Sequence, residues 1–228
     1  VGSWAAELAG QTAPALDVQA RTRFNEANDS HYYLVPGVIV TIMTMIGALL
    51  TSLVMAREYE RGTLESLFVT PVGSGEILTA KAATNFLLGM VSLAISMVFA
   101  AFVFDIPIRG SLLLLLAVSA LFLIVALGLG LVISTATKNQ FLACQFAIMG
   151  TFMPALMLSG FLYDILNMPP AVRAVTYLIP ARYYVTLLQT LFLAGDIPSV
   201  IIPCCITLGV FAVVLMSIAR LKAPKSLE

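Results

Sequence analysis

Hydrophobic and polar positions along this chain do not interleave with the short periods of a soluble fold. Apolar residues collect instead into five long runs, at 34–55, 82–104, 111–137, 139–163 and 197–219, none containing a Lys, Arg, Asp or Glu. A helix rises about 1.5 Å per residue, so about 20 apolar residues cross about 30 Å of hydrocarbon. Each run is long enough. None alternates as a membrane barrel strand does. Backbone groups in lipid must also be paired within their own segment. The pattern therefore predicts an all-α integral membrane protein with five transmembrane helices.

The segments between the runs carry the charges. Arg57, Arg61, Lys81, Lys138, Arg220, Lys222 and Lys225 fall on one side of the predicted spans. Arg109, Arg173 and Arg182, with Arg21 and Arg23 of the leading segment, fall on the other. Cytoplasmic loops carry the excess of Lys and Arg. The 56–81 connection, the turn at Lys138 and the C-terminus are therefore expected in the cytoplasm, and residues 1–33 outside. No charged stretch and short apolar core precede those residues to carry them across. Since the chain starts at Val1, a further span upstream is expected. Val18, Ala20, Thr22 and Phe24 alternate with Gln19, Arg21 and Arg23, a period of two that suggests a strand in the remnant of an extracytoplasmic domain. The transmembrane domain is expected over 34–228.

Two connections differ from plain loops. In the 56–81 stretch Thr63 can cap a short helix whose Leu64, Leu67 and Phe68 share one face, and Pro71 stops it. Ser74 can cap the next helix, with Glu76 complementing its N-terminal dipole. Glu58, Glu60, Arg61 and Glu65 flank the short amphipathic helix, which is either a docking element or a solvated loop with incidental charges. In the 164–196 stretch Pro169-Pro170 and Pro180 can each open a short helix. Tyr184, Leu187, Leu188, Leu191 and Phe192 recur at helical spacing, with Arg182, Thr186 and Gln189 largely opposite, and Gly195 is a natural stop. An amphipathic helix dipping into the outer leaflet fits this pattern. A peripheral helix that only anchors the last span is the alternative.

Composition narrows the chemistry. Formal net charge is zero, which gives no footing for a nucleic-acid partner. Cys144, Cys204 and Cys205 sit inside apolar runs without a C-x-x-C pair, so buried filler is expected rather than a disulfide framework or a metal site. Intramembrane acids and histidines mark ion pathways; the predicted spans contain none, and His31 lies outside them, so a proton-coupled transporter would lack its relay. An intramembrane enzyme would lack its base or its metal ligands. There is also no G-x-x-x-x-G-K-[ST] loop to cradle ATP phosphates. The chain is expected to be non-catalytic, with no cofactor of its own.

The ordered run E-R-G-T-L-E-S-L-F-V-T-P-V at 60–72 with E-I-L-T-A-K at 76–81 resembles the cytoplasmic loop of ABC-2 type permeases. S-G-F-L-Y-D-I-L-N-M-P-P at 159–170 and Y-L-I-P-A-R-Y at 177–183 are similar to their outer segment, and F-N-E at 24–26 with Y-L-V-P-G at 33–37 to the approach to their second span. Asp164 with Ile165 departs from the usual pattern. The resemblance, nearest to the multidrug and lipophilic-compound exporters, implies a six-span permease, here without its first span. It implies a second permease subunit and partner ABC ATPases that hold ATP and Mg. It also implies that the 56–81 loop forms the coupling helix and that the outer segment forms paired helices.

The expected coupling residues are Glu58, Glu60, Arg61, Gly62, Thr63, Leu64, Glu65, Leu67, Phe68 and Pro71. The expected outer gate comprises Ser159, Gly160, Phe161, Pro169, Pro180 and Arg182. Thr44, Thr51, Gln145 and Pro154 are candidates for a substrate path, Pro154 also as a kink in its span. For these polar side chains, and for Asn139, hydrogen bonding between helices is the competing reading. Small residues at fourfold spacing (Ala126, Gly130, Ser134; Ala143, Ala147, Thr151) permit close helix approach, at a dimer seam or inside the subunit. The expected function is export of a lipophilic or amphipathic compound across the bacterial inner membrane by alternating access. A membrane scaffold, or a permease for a lipid-linked polysaccharide, stands as the alternative.

Overall fold

The computed structural model describes residues 31–62, 74–104, 106, 109–163 and 165–222. The predicted strand at 18–24 and the coupling residues Thr63, Leu64, Glu65, Leu67, Phe68 and Pro71 lie outside these. Five helices are long and apolar enough to cross a membrane: Leu34–Glu60, Thr79–Phe102, Leu112–Thr137, Gln140–Leu158 and Pro198–Leu221. No strand occurs among the described residues.

We number the helices in chain order. The first, α1, runs His31–Thr44, passes through a π-helical stretch Met45–Leu50 and continues as Thr51–Glu60. Next come α2, Ser74–Phe102, and α3, Leu112–Thr137. α4 comprises Gln140–Ala147, a second π stretch Ile148–Phe152, and Met153–Leu158. Two short helices follow: α5, Pro170–Thr176, and α6, Pro180–Gln189, which ends in a third π stretch, Thr190–Ala194. α7, Pro198–Lys222, closes the bundle.

The polar connection after α1 is shorter than the sequence suggests, because α1 continues through Glu60 and α2 starts at Ser74. Hydropathy marks where lipid ends. Helical hydrogen bonding continues one or two turns further, into the interface. Glu58 and Glu60 are therefore helical residues rather than loop residues.

α1 lies at the centre of the packing. It meets α3 where side chains are smallest: a Cβ on Gly47 would sit 2.4 Å from the Ala126 Cβ, and one on Gly130 2.6 Å from the Ala48 carbonyl oxygen. In lipid there is little hydrophobic drive between helices, so such close contact supplies the attraction. The row Ala126, Gly130, Ser134 is buried in this seam, and Ala143, Ala147 and Thr151 are buried on α4. Both rows serve packing within the subunit.

α5 and α6 form a re-entrant hairpin. Residues 178–181 of its turn share a cleft with Ala126, about halfway along α3, whereas the far end of α6 bonds the start of α3: the Gly110 amide donates to the Leu191 carbonyl at 2.8 Å. At about 1.5 Å per residue, the 15 residues from Pro180 to Ala194 span about the same 20 Å as Ser111 to Ala126. The apolar face of α6 points into protein. Tyr184, Leu187, Leu188, Leu191 and Phe192 are fully buried; the Tyr184 ring stacks on Phe122 at 4.1 Å and its hydroxyl bonds Ser119 at 2.8 Å. The amphipathic pattern that suits a helix dipping into lipid is met here by the bundle's own core.

Gly130→Ala should lower stability in detergent by about 1–3 kcal/mol, because the added methyl meets backbone that cannot yield. Gly150→Ala, where a Cβ would find nothing within 4 Å, should be close to neutral. Thermal unfolding of the two purified variants checks both.

Candidate functional site

A cleft of about 90 Å³ opens beside the middle of the bundle. Thr44 of α1 forms one edge and Phe122, Ala126 and Leu129 of α3 the floor. α4 contributes Gly150, Thr151, Pro154 and Ala155, and the α5–α6 turn supplies residues 178–181. The π stretches of α1 and α4 lie against each other at this level. Such stretches inside α-helices are frequent at functional sites. In α4 the cause is visible in sequence: Pro154 has no amide to give the Gly150 carbonyl, so the ladder loosens before it.

The cleft is apolar in effect. Its two hydroxyls are already engaged, Thr44 to the Val40 carbonyl at 2.8 Å and Thr151 to the Ala147 carbonyl. An apolar molecule entering would strand neither hydroxyl, and the desolvation cost is confined to backbone such as the Gly150 carbonyl.

The four candidate substrate-path residues separate. Thr44 and Pro154 line the cleft. Thr51 is fully buried between helices and accepts a hydrogen bond from Asn85 Nδ2 of α2 at 3.0 Å. Gln145 points outward from α4 and is exposed. Sequence reasoning missed Asn85. The available signal was its place in a stripe of small residues on α2 (Ala82, Asn85, Gly89) that the fold buries.

The outer-gate candidates form two joints. Ser159 is buried, Gly160 turns the chain at φ +89, and Phe161 packs its ring where a side chain on Gly37 would stand, 1.8 Å from that Cβ position. This pins the end of α4 to α1. Pro169 precedes α5 in extended conformation, and Pro180 opens α6 against the cleft. Arg182 locks the turn between them: its guanidinium lies 3.9 Å from the Tyr177 ring centre and donates to the Thr176 hydroxyl. A cation over an aromatic face is a favourable contact where water is scarce. Gly195 ends α6 at φ +90, beside an Asp196 carboxylate that accepts from the Ser111 amide at 2.9 Å.

Of the coupling candidates, four are described. Gly62, at φ 67, closes α1 with its amide on the Tyr59 carbonyl at 3.3 Å, a left-handed cap that glycine adopts without strain. Arg61 is exposed in that turn. Glu58 pairs with Lys81 of α2. Glu60 reaches α4, its Oε2 accepting from the Gln140 amide at 3.1 Å, while Arg57 Nε donates to the Gln140 side chain at 3.3 Å. Asn139 caps the same helix, accepting from Leu142 at 3.1 Å.

Five helices long and apolar enough to cross a membrane, with α6 buried among them and an apolar cleft beside the middle of the bundle, define a multi-pass membrane protein. Residues 5–221 match the family model described as "ABC-2 family transporter protein". The chain belongs to this ABC-2 family. It is 48% identical over 98% of its length to the "Probable multidrug ABC transporter permease YbhS" of Escherichia coli, covering 59% of that protein. It is 30% identical over 78% of its length to "Probable multidrug ABC transporter permease YbhR" of the same organism, covering 48%, and 28% identical throughout to its "Inner membrane transport permease YhhJ", covering 61%. The chain thus spans about half to three fifths of these relatives.

Thr51→Val should leave the Asn85 amide buried without its partner and cost about 1–3 kcal/mol. The double variant Thr51→Val/Asn85→Leu should recover part of that loss. Unfolding of the single and double variants tests whether Thr51 acts as interhelical bonding.

Proposed function

We propose that this chain is the permease portion of an ATP-driven exporter that moves lipophilic or amphipathic compounds by alternating access. The observation that carries the reading is the apolar cleft, whose hydroxyls are satisfied by their own helices and whose walls meet at two π stretches. A site that offers no fixed polar partner suits varied apolar cargo, and the names of the YbhS and YbhR relatives favour the same class.

In this reading the protein is not itself a catalyst. ATP and Mg are held by an ABC ATPase partner, and a second permease subunit completes the pathway. The 61–73 connection faces the cytoplasm with the C-terminus, as the distribution of Lys and Arg suggests. The membrane is the bacterial inner membrane, in keeping with the name of the YhhJ relative. ATP binding draws the partners together and displaces that connection. The helices then shift between inward-open and outward-open states, which requires the cargo to contact the two states differently. The α5–α6 hairpin, with Phe161 and Arg182, forms the outer closure.

Two measurements test this. Gly150→Trp, whose side chain has open space at the cleft wall, should abolish ATP-driven ethidium efflux from vesicles holding the full-length permease and its ATPase, while the ATPase still co-purifies. Undiminished efflux would refute the cleft as the path. Arg61→Glu or Glu65→Lys should reduce transport-coupled ATP hydrolysis, and unchanged hydrolysis would count against coupling through the 61–73 connection.

A further inference from the structure

The acidic residues at the end of α1 are committed to other helices of the same chain. Glu58 holds Lys81 of α2, and its side chain is only 17% exposed. Glu60 accepts from the first amide of α4, and Arg57 holds the Gln140 side chain of the same residue. A carboxylate at a helix N-terminus is bound by an unpaired amide and by the helix dipole together. One turn of α1 therefore grips both α2 and α4.

The interior is layered in a way that gives this grip a consequence. The main apolar core, from Ile39 to Ala212, fills the half of the bundle that holds the re-entrant hairpin. At the gripped end a separate small cluster joins Met55, Ala82, Leu131 and Ala219. Between them lie the buried Thr51, Ser52 and Asn85, and the π stretch of α1 begins the next turn up. The gripped end is thus joined to the rest through a polar layer and the π stretch of α1, which is held closely against α3 at Gly130, so that α1 moves as one body there.

We propose that Arg57, Glu58, Glu60, Lys81 and Gln140 form a latch that carries displacement of the 61–73 connection into α2 and α4, so that the two acids are positioning residues of coupling rather than contacts to an ATPase. The path is short. From Gln140 to Gly150, which lines the cleft, α4 runs about 15 Å. A push on the end of α1 moves the base of α4 with it, and the paired π stretches convert that movement into a change at the cleft wall. This rests on the reading of the chain as an ATP-driven permease.

The test uses the full-length permease with its ATPase in vesicles, reading three quantities: ATPase co-purified, basal ATP hydrolysis, and ATP-driven ethidium efflux. Glu58→Lys should retain the ATPase and basal hydrolysis while efflux falls about tenfold, the scale of a lost coupling contact. Glu58→Lys/Lys81→Glu should restore efflux to within about twofold, which a merely destabilised protein would not do. Glu60→Gln, which keeps an acceptor for the Gln140 amide but loses the charge, should fall in between. Unchanged efflux in Glu58→Lys overturns the latch, as does failure of the exchanged pair to recover. Loss of the ATPase from Glu58→Lys also overturns it, because the acid would then be a docking contact. If the unaltered permease retains no ATPase, the transporter reading itself fails, a result separable from all three.

Discussion

The contact of α1 with α3 is the constraint on which the other helix positions depend. Gly47 against Ala126, and Gly130 against the Ala48 carbonyl, bring two backbones closer than any larger side chain allows. Where lipid tails are as apolar as leucine, helices gain little by merely leaving them, and close van der Waals contact has to supply the attraction. With α1 set against α3, the remaining surfaces of α1 are assigned: α2 on one side through Asn85, α4 through Ala143 and Ala147, and α6 over the upper half. α7 closes on α3 at another glycine, Gly128, where Leu215 approaches.

The second constraint is backbone satisfaction. A chain that turns halfway across a membrane exposes amides and carbonyls that lipid cannot bond, so a re-entrant hairpin must pair them within protein. The α5–α6 turn meets this with local bonds: the amides of Tyr177, Leu178 and Ile179 donate to the carbonyls of Ala174, Val175 and Thr176, and the Tyr183 hydroxyl donates to the Tyr177 carbonyl at 3.0 Å. At the other end of α6 the amides of Arg109 and Gly110 take the Phe192 and Leu191 carbonyls. Of the hairpin, α6 is the part surrounded by protein, whereas Tyr177 and Leu178 of the turn and Met149 of the α4 π stretch are exposed on the bundle's surface.

Much of this was legible in the sequence because lipid imposes a coarse code. Charge-free runs located the five spans, prolines located the starts of α5 and α6, and Gly195 located the end of α6. The code fails where lipid and protein look alike. Tyr184 and Leu188 have the same periodicity whether they face acyl chains or Phe122, so the burial of α6 could not be separated from a helix lying in the leaflet. Thr44 and Thr51 stand seven residues apart on one helix; only the position of α2 decides that one lines the cleft and the other bonds Asn85. The helix boundary at Glu60 was hidden for a related reason. Charge signals the end of the hydrocarbon, whereas the α1 helix ends where Gly62 caps it.

That boundary governs how the charged residues near the predicted coupling segment should be weighed. Read as loop residues, Glu58 and Glu60 are free to meet a partner, and the local pattern of charges around a short apolar helix favours such a role. Placed in the last turn of α1, each has an intramolecular claim on it: one faces a lysine, the other an uncapped amide and a helix dipole. A side chain engaged in this way gives up those bonds if it is drawn to another protein, which weakens the case for docking. The same engagement strengthens the case for transmission, because a bond that crosses from one helix to another is the means by which one can move the other. Arg61, exposed and one residue further along, carries no such claim among the hydrogen bonds described for its side chain, and it remains the member of the group best placed to meet an outside surface.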